Sequence, residues 1–180
     1  MKTSGEEMKI VTIFGSALPK VGDEEYETAY KLGKYLGEKG FGICTGGYQG
    51  IMEAASKGNK DAGGYTIGVI VDLFNRKPNP YLDEIIEEES LFDRINTLIE
   101  KGDAFIALRG GTGTLLELVT VWEFFNKNLT KKRPVAAHGK MWKSLVEEIN
   151  NRMIFENRSP DIVKSFEDIF ECADYIIKKL

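Results

Sequence analysis

The chain has 180 residues, 42% of them hydrophobic and 29% charged, with a formal net charge of −4. This is the size and composition of one soluble globular domain with a real core, so residues 1–180 are read as a single unit. The acidic balance argues against bulk attraction to nucleic acid or to an acidic membrane, and no apolar run approaches the ~20 residues that span a bilayer.

Along the chain, short β-branched runs alternate with helical patterns. KIVTIF (9–14) reads as a strand ending in Gly15-Ser16. A helix follows over 24–39, with Asp23, Glu24 and Glu25 at its start and Gly40 as its stop. FGICT (41–45) is the next strand, with Cys44 as a small core residue, and it ends in Gly46-Gly47. Residues 50–58 read as a short helix and YTIGVIV (65–71) as a third strand. FNRKPNPYL (74–82) is a loop, marked by its prolines and asparagines. DEIIEEE (83–89) is a weaker strand. Ser90 opens a helix whose apolar stripe is Leu91, Ile95, Leu98 and Ile99. DAFIALR (103–109) is a buried strand leading into the helix over 112–126. A strand at 133–138, a helix at 141–151 and a last helix from Ser165 complete the chain, with Ser165 and Asp168 as its capping box.

This alternation predicts an α/β fold, a parallel sheet covered by helices on both faces. In such folds ligands sit at the carboxyl ends of the strands. Gly15-Ser16, Thr45-Gly46-Gly47, Ser90–Arg94 and Arg109–Glu117 all follow strand ends, so they share one edge of the sheet.

RGGTGT (109–114) has the chemistry of an anion cradle. Gly110, Gly111 and Gly113 let the backbone come close to a ligand, the first amides of the next helix are free, and Thr112 and Thr114 add hydroxyl donors. The plain alternative is a tight turn with Thr114 and Glu117 as a capping box. A second glycine-rich turn, TGGYQG (45–50), faces the same edge, and two such turns favour a phosphate site. Neither turn is a dinucleotide fingerprint, and there is no P-loop.

In the helix 112–126, Leu115, Leu118, Val119, Trp122 and Phe125 form one apolar stripe. Glu117 lies off it, near Val121 and Phe124. A helix apolar on two sides is buried all round or meets a partner, so Glu117 is expected in a partly dry place, suited to act as a base. Arg94 is either a surface arginine paired with Glu87, Glu88 or Glu89, or an arginine aimed into the crevice. The lone His138 has no neighbours at metal spacing and neither cysteine has a CxxC partner, so no metal and no cofactor are expected. The N-terminal MKTSGEEMK lacks the apolar core of a signal peptide, so a cytoplasmic protein with reduced thiols is the expectation.

Taken together, the GS after strand one, GGYQGIMEAASKG, GGYTIGVI, the mid-chain arginine and GGTGTLLEL followed by VWEF resemble the Lonely Guy (LOG) family over about residues 10–150. The resemblance implies a Rossmann-like three-layer fold, a homodimer, and hydrolysis of the N-glycosidic bond of a nucleoside 5′-monophosphate, AMP or a cytokinin type, to free base and ribose 5-phosphate. It implies that Gly110, Gly111, Gly113 and Thr114 hold the phosphate and that Glu117 and Arg94 are catalytic. Gly46, Gly47, Gly50, Met52 and Glu53 match its first glycine-rich motif, and Gly15 and Ser16 its first turn. The chain departs from the family at two positions: the motif proline is Arg109, and the lysine after the arginine is Ile95. The related molybdenum-cofactor carriers share the fold and bind without turnover, so a non-catalytic nucleotide or cofactor binder is the second reading. Base contacts are expected from loop 74–82, with Phe74, Arg76 and Tyr81 as candidates. The dimer is expected to bury the side of the helix bearing Val121 and Phe124.

Overall fold

The computed structural model describes residues 7–180, so the first six residues of the stretch read for a signal sequence lie outside it. Strands β1 (Ile10–Phe14), β2 (Gly42–Thr45), β3 (Thr66–Val71), β4 (Glu84–Glu88), β5 (Ala104–Ala107), β6 (Val135–His138) and β7 (Val163–Phe166) alternate with helices α1 (Glu24–Glu38), α2 (Ile51–Asp61), α3 (Leu91–Lys101), α4 (Thr112–Asn126), α5 (Lys140–Phe155) and α6 (Ile169–Ile177). The strands form one sheet in the order β4-β3-β2-β1-β5-β6-β7, and every neighbouring pair is parallel.

The sheet is buried because its strands carry apolar residues on both faces, as parallel sheets require. Val11 and Ile13 of β1 and Ala104 and Ile106 of β5 pack under α1, α2 and α6. Their neighbours Phe14, Phe105 and Ala107 point to the opposite face and pack under α3, α4 and α5. A one-residue alternation thus feeds two cores, and the chain is the expected three-layer α/β protein. Chain direction along the sheet reverses between β1 and β5. The helices that follow these two strands leave on opposite faces, which opens a crevice at their carboxyl ends.

The C-terminal region differs from the sequence expectation. Ser165 does not open a helix but lies in β7, whose register pairs it with Ala137 of β6. The cap is Asp168 alone, whose Oδ1 accepts from the amides of Phe170 and Glu171 at 2.8 and 2.9 Å. β7 is a four-residue edge strand with only Val163 fully buried, so it lacks the apolar contrast that marks a strand in sequence.

Candidate active site

Ser90 caps α3 by accepting the Asp93 amide at 3.1 Å, and this fixes the helix so that Arg94, one turn in, faces the sheet edge. Arg94 is 5% exposed. Its Nε donates to the carbonyl of Val69 in β3 at 2.8 Å, Nη2 donates to the carbonyl of Gly46 at 3.1 Å, and Nη1 donates to Glu117 Oε1 at 3.2 Å. Glu117 lies in the second turn of α4 and is 9% exposed. Burial pushes its carboxyl up to about 7, and the neighbouring Arg94 charge opposes that rise. The pair is therefore an ion pair in a nearly dry setting, joined across two helices. The surface reading of Arg94, and the capping reading of Glu117, do not describe this arrangement.

Two aromatic rings complete the Arg94 cage. Its Cζ lies 5.7 Å from the ring centre of Tyr48 and 5.8 Å from that of Phe74, within cation–π range. Tyr48 is buried, and its hydroxyl accepts the Val71 amide at 2.9 Å and donates to the Val71 carbonyl at 2.6 Å. Asn79 Nδ2 donates to the carbonyls of Gly47 and Tyr48, tying the 45–50 turn to the loop after β3. Sequence reasoning did not single out Tyr48 or Asn79. Their only signal was an aromatic inside a glycine-rich turn and an asparagine between two prolines.

The glycine-rich turns are shaped by close approach. A Cβ on Gly46 would run into the Arg94 guanidinium, and one on Gly50 into the Ser16 carbonyl and Ala17 backbone. Gly50 also has φ +70°. The Ser16 carbonyl accepts the Ile51 amide at 2.8 Å and the Ser16 amide donates to the Arg109 carbonyl at 3.2 Å, so the ends of β1 and β5 and the start of α2 are laced together. The Ser16 hydroxyl is occupied locally, accepting the Leu18 amide at 3.1 Å. At α4, Gly111 is the N-cap and Thr112 the first helical residue. Thr112 and Gly113 are exposed and Thr114 is buried. A Cβ at Gly111 or Gly113 would meet nothing within 4 Å. The turn is therefore open at these two positions, and it stands at the positive end of a 15-residue helix, which favours an anion.

Other expected residues fall elsewhere. Glu53 accepts a hydrogen bond from the hydroxyl of Tyr26 in α1 at 3.2 Å, a contact between α2 and α1. Arg109 turns to Glu25 of α1 at 3.1 Å and lines a cleft of about 280 Å³ with Leu108, His138 and Lys140, so it does not join Arg94 at Glu117. Ile95, where the family resemblance calls for lysine, is buried in the core beneath α3. Val121 is also fully buried within the chain, whereas Val119, assigned to the core stripe, is 37% exposed. Among the described residues, no group of three or more His, Cys, Asp or Glu side chains is placed to hold a metal ion, and no helix is long and apolar enough to cross a membrane.

Fold and site together define a Rossmann-like α/β protein with two glycine-rich turns and a dry Arg–Glu pair at the carboxyl edge of its sheet. By its sequence the chain belongs to the SLOG cluster4 family, which it matches over residues 8–161. It is 30% identical over 135 residues to an uncharacterized protein of Archaeoglobus fulgidus, covering 73% of this chain and 87% of that one. A cytokinin riboside 5′-monophosphate phosphoribohydrolase of Mycobacterium marinum is 31% identical over 115 residues, 62% of this chain and 61% of that enzyme, so under two thirds of the enzyme's length is matched. The family match and the similarity to this named phosphoribohydrolase bear out the resemblance to the LOG family. In structure, the molybdenum cofactor binding protein of Rippkaea orientalis superposes with a TM-score of 0.77 at 24% identity, over 97% of this chain and 98% of that one, which shows the shared fold.

Proposed function

We propose that this protein is an N-glycosidase that hydrolyses a nucleoside 5′-monophosphate, AMP being the first to test, to free base and ribose 5-phosphate. The observation that carries the reading is the buried Arg94–Glu117 pair, whose Glu117 lies on the same helix, α4, that has RGGTGT at its N-terminus. From Thr112 to Glu117 the helix rises about 7.5 Å. A ribose 5-phosphate seated with its phosphate on the first-turn amides therefore brings C1′ to the neighbourhood of the carboxylate. The similarity to a named phosphoribohydrolase supports the same substrate class.

In the reaction the C1′–N bond breaks as water adds to C1′. Positive charge builds on the ribose and negative charge on the departing base. Ionised Glu117 stabilises the ribose cation and takes the proton of the attacking water; the departing base takes up a proton from solvent, and Glu117 returns its own to solvent, so the protons balance. Arg94 holds Glu117 in place and opposes the rise in its pKa that burial causes. Each of its Nη atoms carries a second N–H, which is available to the leaving base. Binding energy from the phosphate, remote from the bond that breaks, positions the reacting carbon.

The working unit is a homodimer joined through the solvent faces of α3 and α4, where Phe92 is 74% exposed and Val119 stands clear of the core. The buried free thiols Cys44 and Cys172 fit a reducing cytoplasm.

Incubation with a panel of nucleoside 5′-monophosphates, followed by chromatography, tests the reading. Release of base and ribose 5-phosphate from at least one of them, lost in Glu117→Ala, is the expected result. Binding of AMP without release from any would overturn hydrolysis and leave the reading of a non-catalytic nucleotide or cofactor binder, which the replacement of the family lysine by Ile95 favours.

A further inference from the structure

Phe74, Arg76 and Tyr81 of the loop after β3 are chemically suited to meet a base, and the structure separates them. Arg76 is exposed, and the ring of Tyr81 faces Lys57 of α2, with the ammonium 5.9 Å from its centre. Phe74 alone stands at the site. Its ring centre lies 5.8 Å from the Arg94 guanidinium and 5.8 Å from the Tyr48 ring, tilted 66° to it. It is nevertheless 43% exposed, so part of its surface beside the buried ion pair stays open.

The loop that carries the ring is also held in place. Phe74 ends a short 3₁₀ turn, Asp72–Phe74, closed by the Asn75 amide donating to the Asp72 carbonyl at 2.9 Å. Further along, Gln49 Nε2 donates to the Lys77 carbonyl at 2.7 Å, and the buried Asn79 is bonded to the 45–50 turn. A large apolar ring on a loop whose backbone is tied on both sides of it, packed against Tyr48 and left half-open next to a charged pair, is a preorganised stacking surface, because little conformational freedom is lost when a flat ligand covers it.

Resting on the nucleotide reading of the site, we propose that Phe74 is the residue on which the aromatic base of the substrate stacks, and that it sets the preference for nucleotides over the bare sugar phosphate. The base then lies against Phe74 with its leaving nitrogen toward Arg94. The competing role is that Phe74 only shields Arg94 from water. The two roles differ in which ligand feels the ring. Stacking involves the base alone, whereas a disturbed Arg94–Glu117 pair reaches every ligand.

The experiment measures Kd for AMP and for ribose 5-phosphate by calorimetry in a Glu117→Gln background, which prevents turnover, with Phe74, Phe74→Leu and Phe74→Trp. Phe74→Leu is expected to weaken AMP by roughly 10- to 100-fold, the usual loss for one base–aromatic stack. Ribose 5-phosphate should be held with unchanged affinity, and Phe74→Trp should restore AMP. In the active chain, Phe74→Leu should raise KM for AMP by a larger factor than it lowers kcat. Equal weakening of both ligands would overturn the proposal in favour of shielding, and so would an unchanged affinity for AMP. Binding of ribose 5-phosphate with AMP no tighter, in the Phe74 chain itself, would overturn stacking while leaving the phosphate site standing. If that chain binds neither ligand, the nucleotide reading falls and the stacking role with it.

Discussion

Glu117 is ionised at a cost. Its carboxyl is raised from about 4.5 to about 7 by burial, with Arg94 opposing. A group whose folded value lies above its unfolded value favours the folded state when protonated. Its stabilising contribution is therefore fully present below pH 4.5 and lost as pH rises through 7. Glu117→Gln removes this dependence. The melting temperature of the native chain relative to the variant should fall by a few degrees between pH 4.5 and 8, measured by calorimetry. Activity runs the other way, because the working form is the carboxylate, so kcat should climb as pH rises through 7. A melting-temperature difference that is flat with pH would mean that the carboxyl titrates at its ordinary value. Such opposition between stability and chemistry is expected of a buried ion pair kept for function.

The elements that carry the site are short turns between a strand and a helix, and their glycines do different work. At Gly46 the backbone has room for alanine in φ, but the Arg94 guanidinium occupies the space of a Cβ. At Gly50 both the φ of +70° and the backbone of residues 16 and 17 exclude a side chain. Gly46→Ala should therefore displace Arg94 and lower activity by about 100-fold or more, since an electrostatic group is moved from its place, with a modest loss of stability. Gly50→Ala should cost about 2 kcal/mol or more in denaturant unfolding, through strain and overpacking. Equal effects of the two on both measurements would show that the turns act only as structural joints. The sequence displayed both turns, because glycine clusters between a strand and a helix are visible to inspection. It did not display that the first turn is the seat of the arginine.

At the scale of the whole molecule, the solvent faces of α3 and α4 expose Phe92 and Val119 while the opposite faces of the same helices form one of the two cores. Light scattering at micromolar concentration should give twice the mass of the 20.2 kDa chain. Phe92→Glu with Val119→Glu should give the single mass, with the circular dichroism of the folded state retained, because neither side chain contributes to the core. A native chain that is already monomeric would remove the dimer from the proposed working unit.

The sequence by itself determined the layer architecture. Alternating periods of two and near four residues, punctuated by glycine, allow few arrangements other than a parallel sheet between helices. It also placed Gly15, Gly46, Arg94 and Glu117 at one edge, because the carboxyl ends of parallel strands all lie on one side. It gave the wrong start for α6, because β7 is a short edge strand paired only to β6 and its pattern carries no apolar contrast. Only the tertiary structure decided that Arg94 meets Glu117, 23 residues away, rather than the nearer glutamates of β4. The deciding contacts are the carbonyls of Val69 and Gly46 and the rings of Tyr48 and Phe74, which come from two segments, 46–48 and 69–74, brought together with α3 only when the sheet forms.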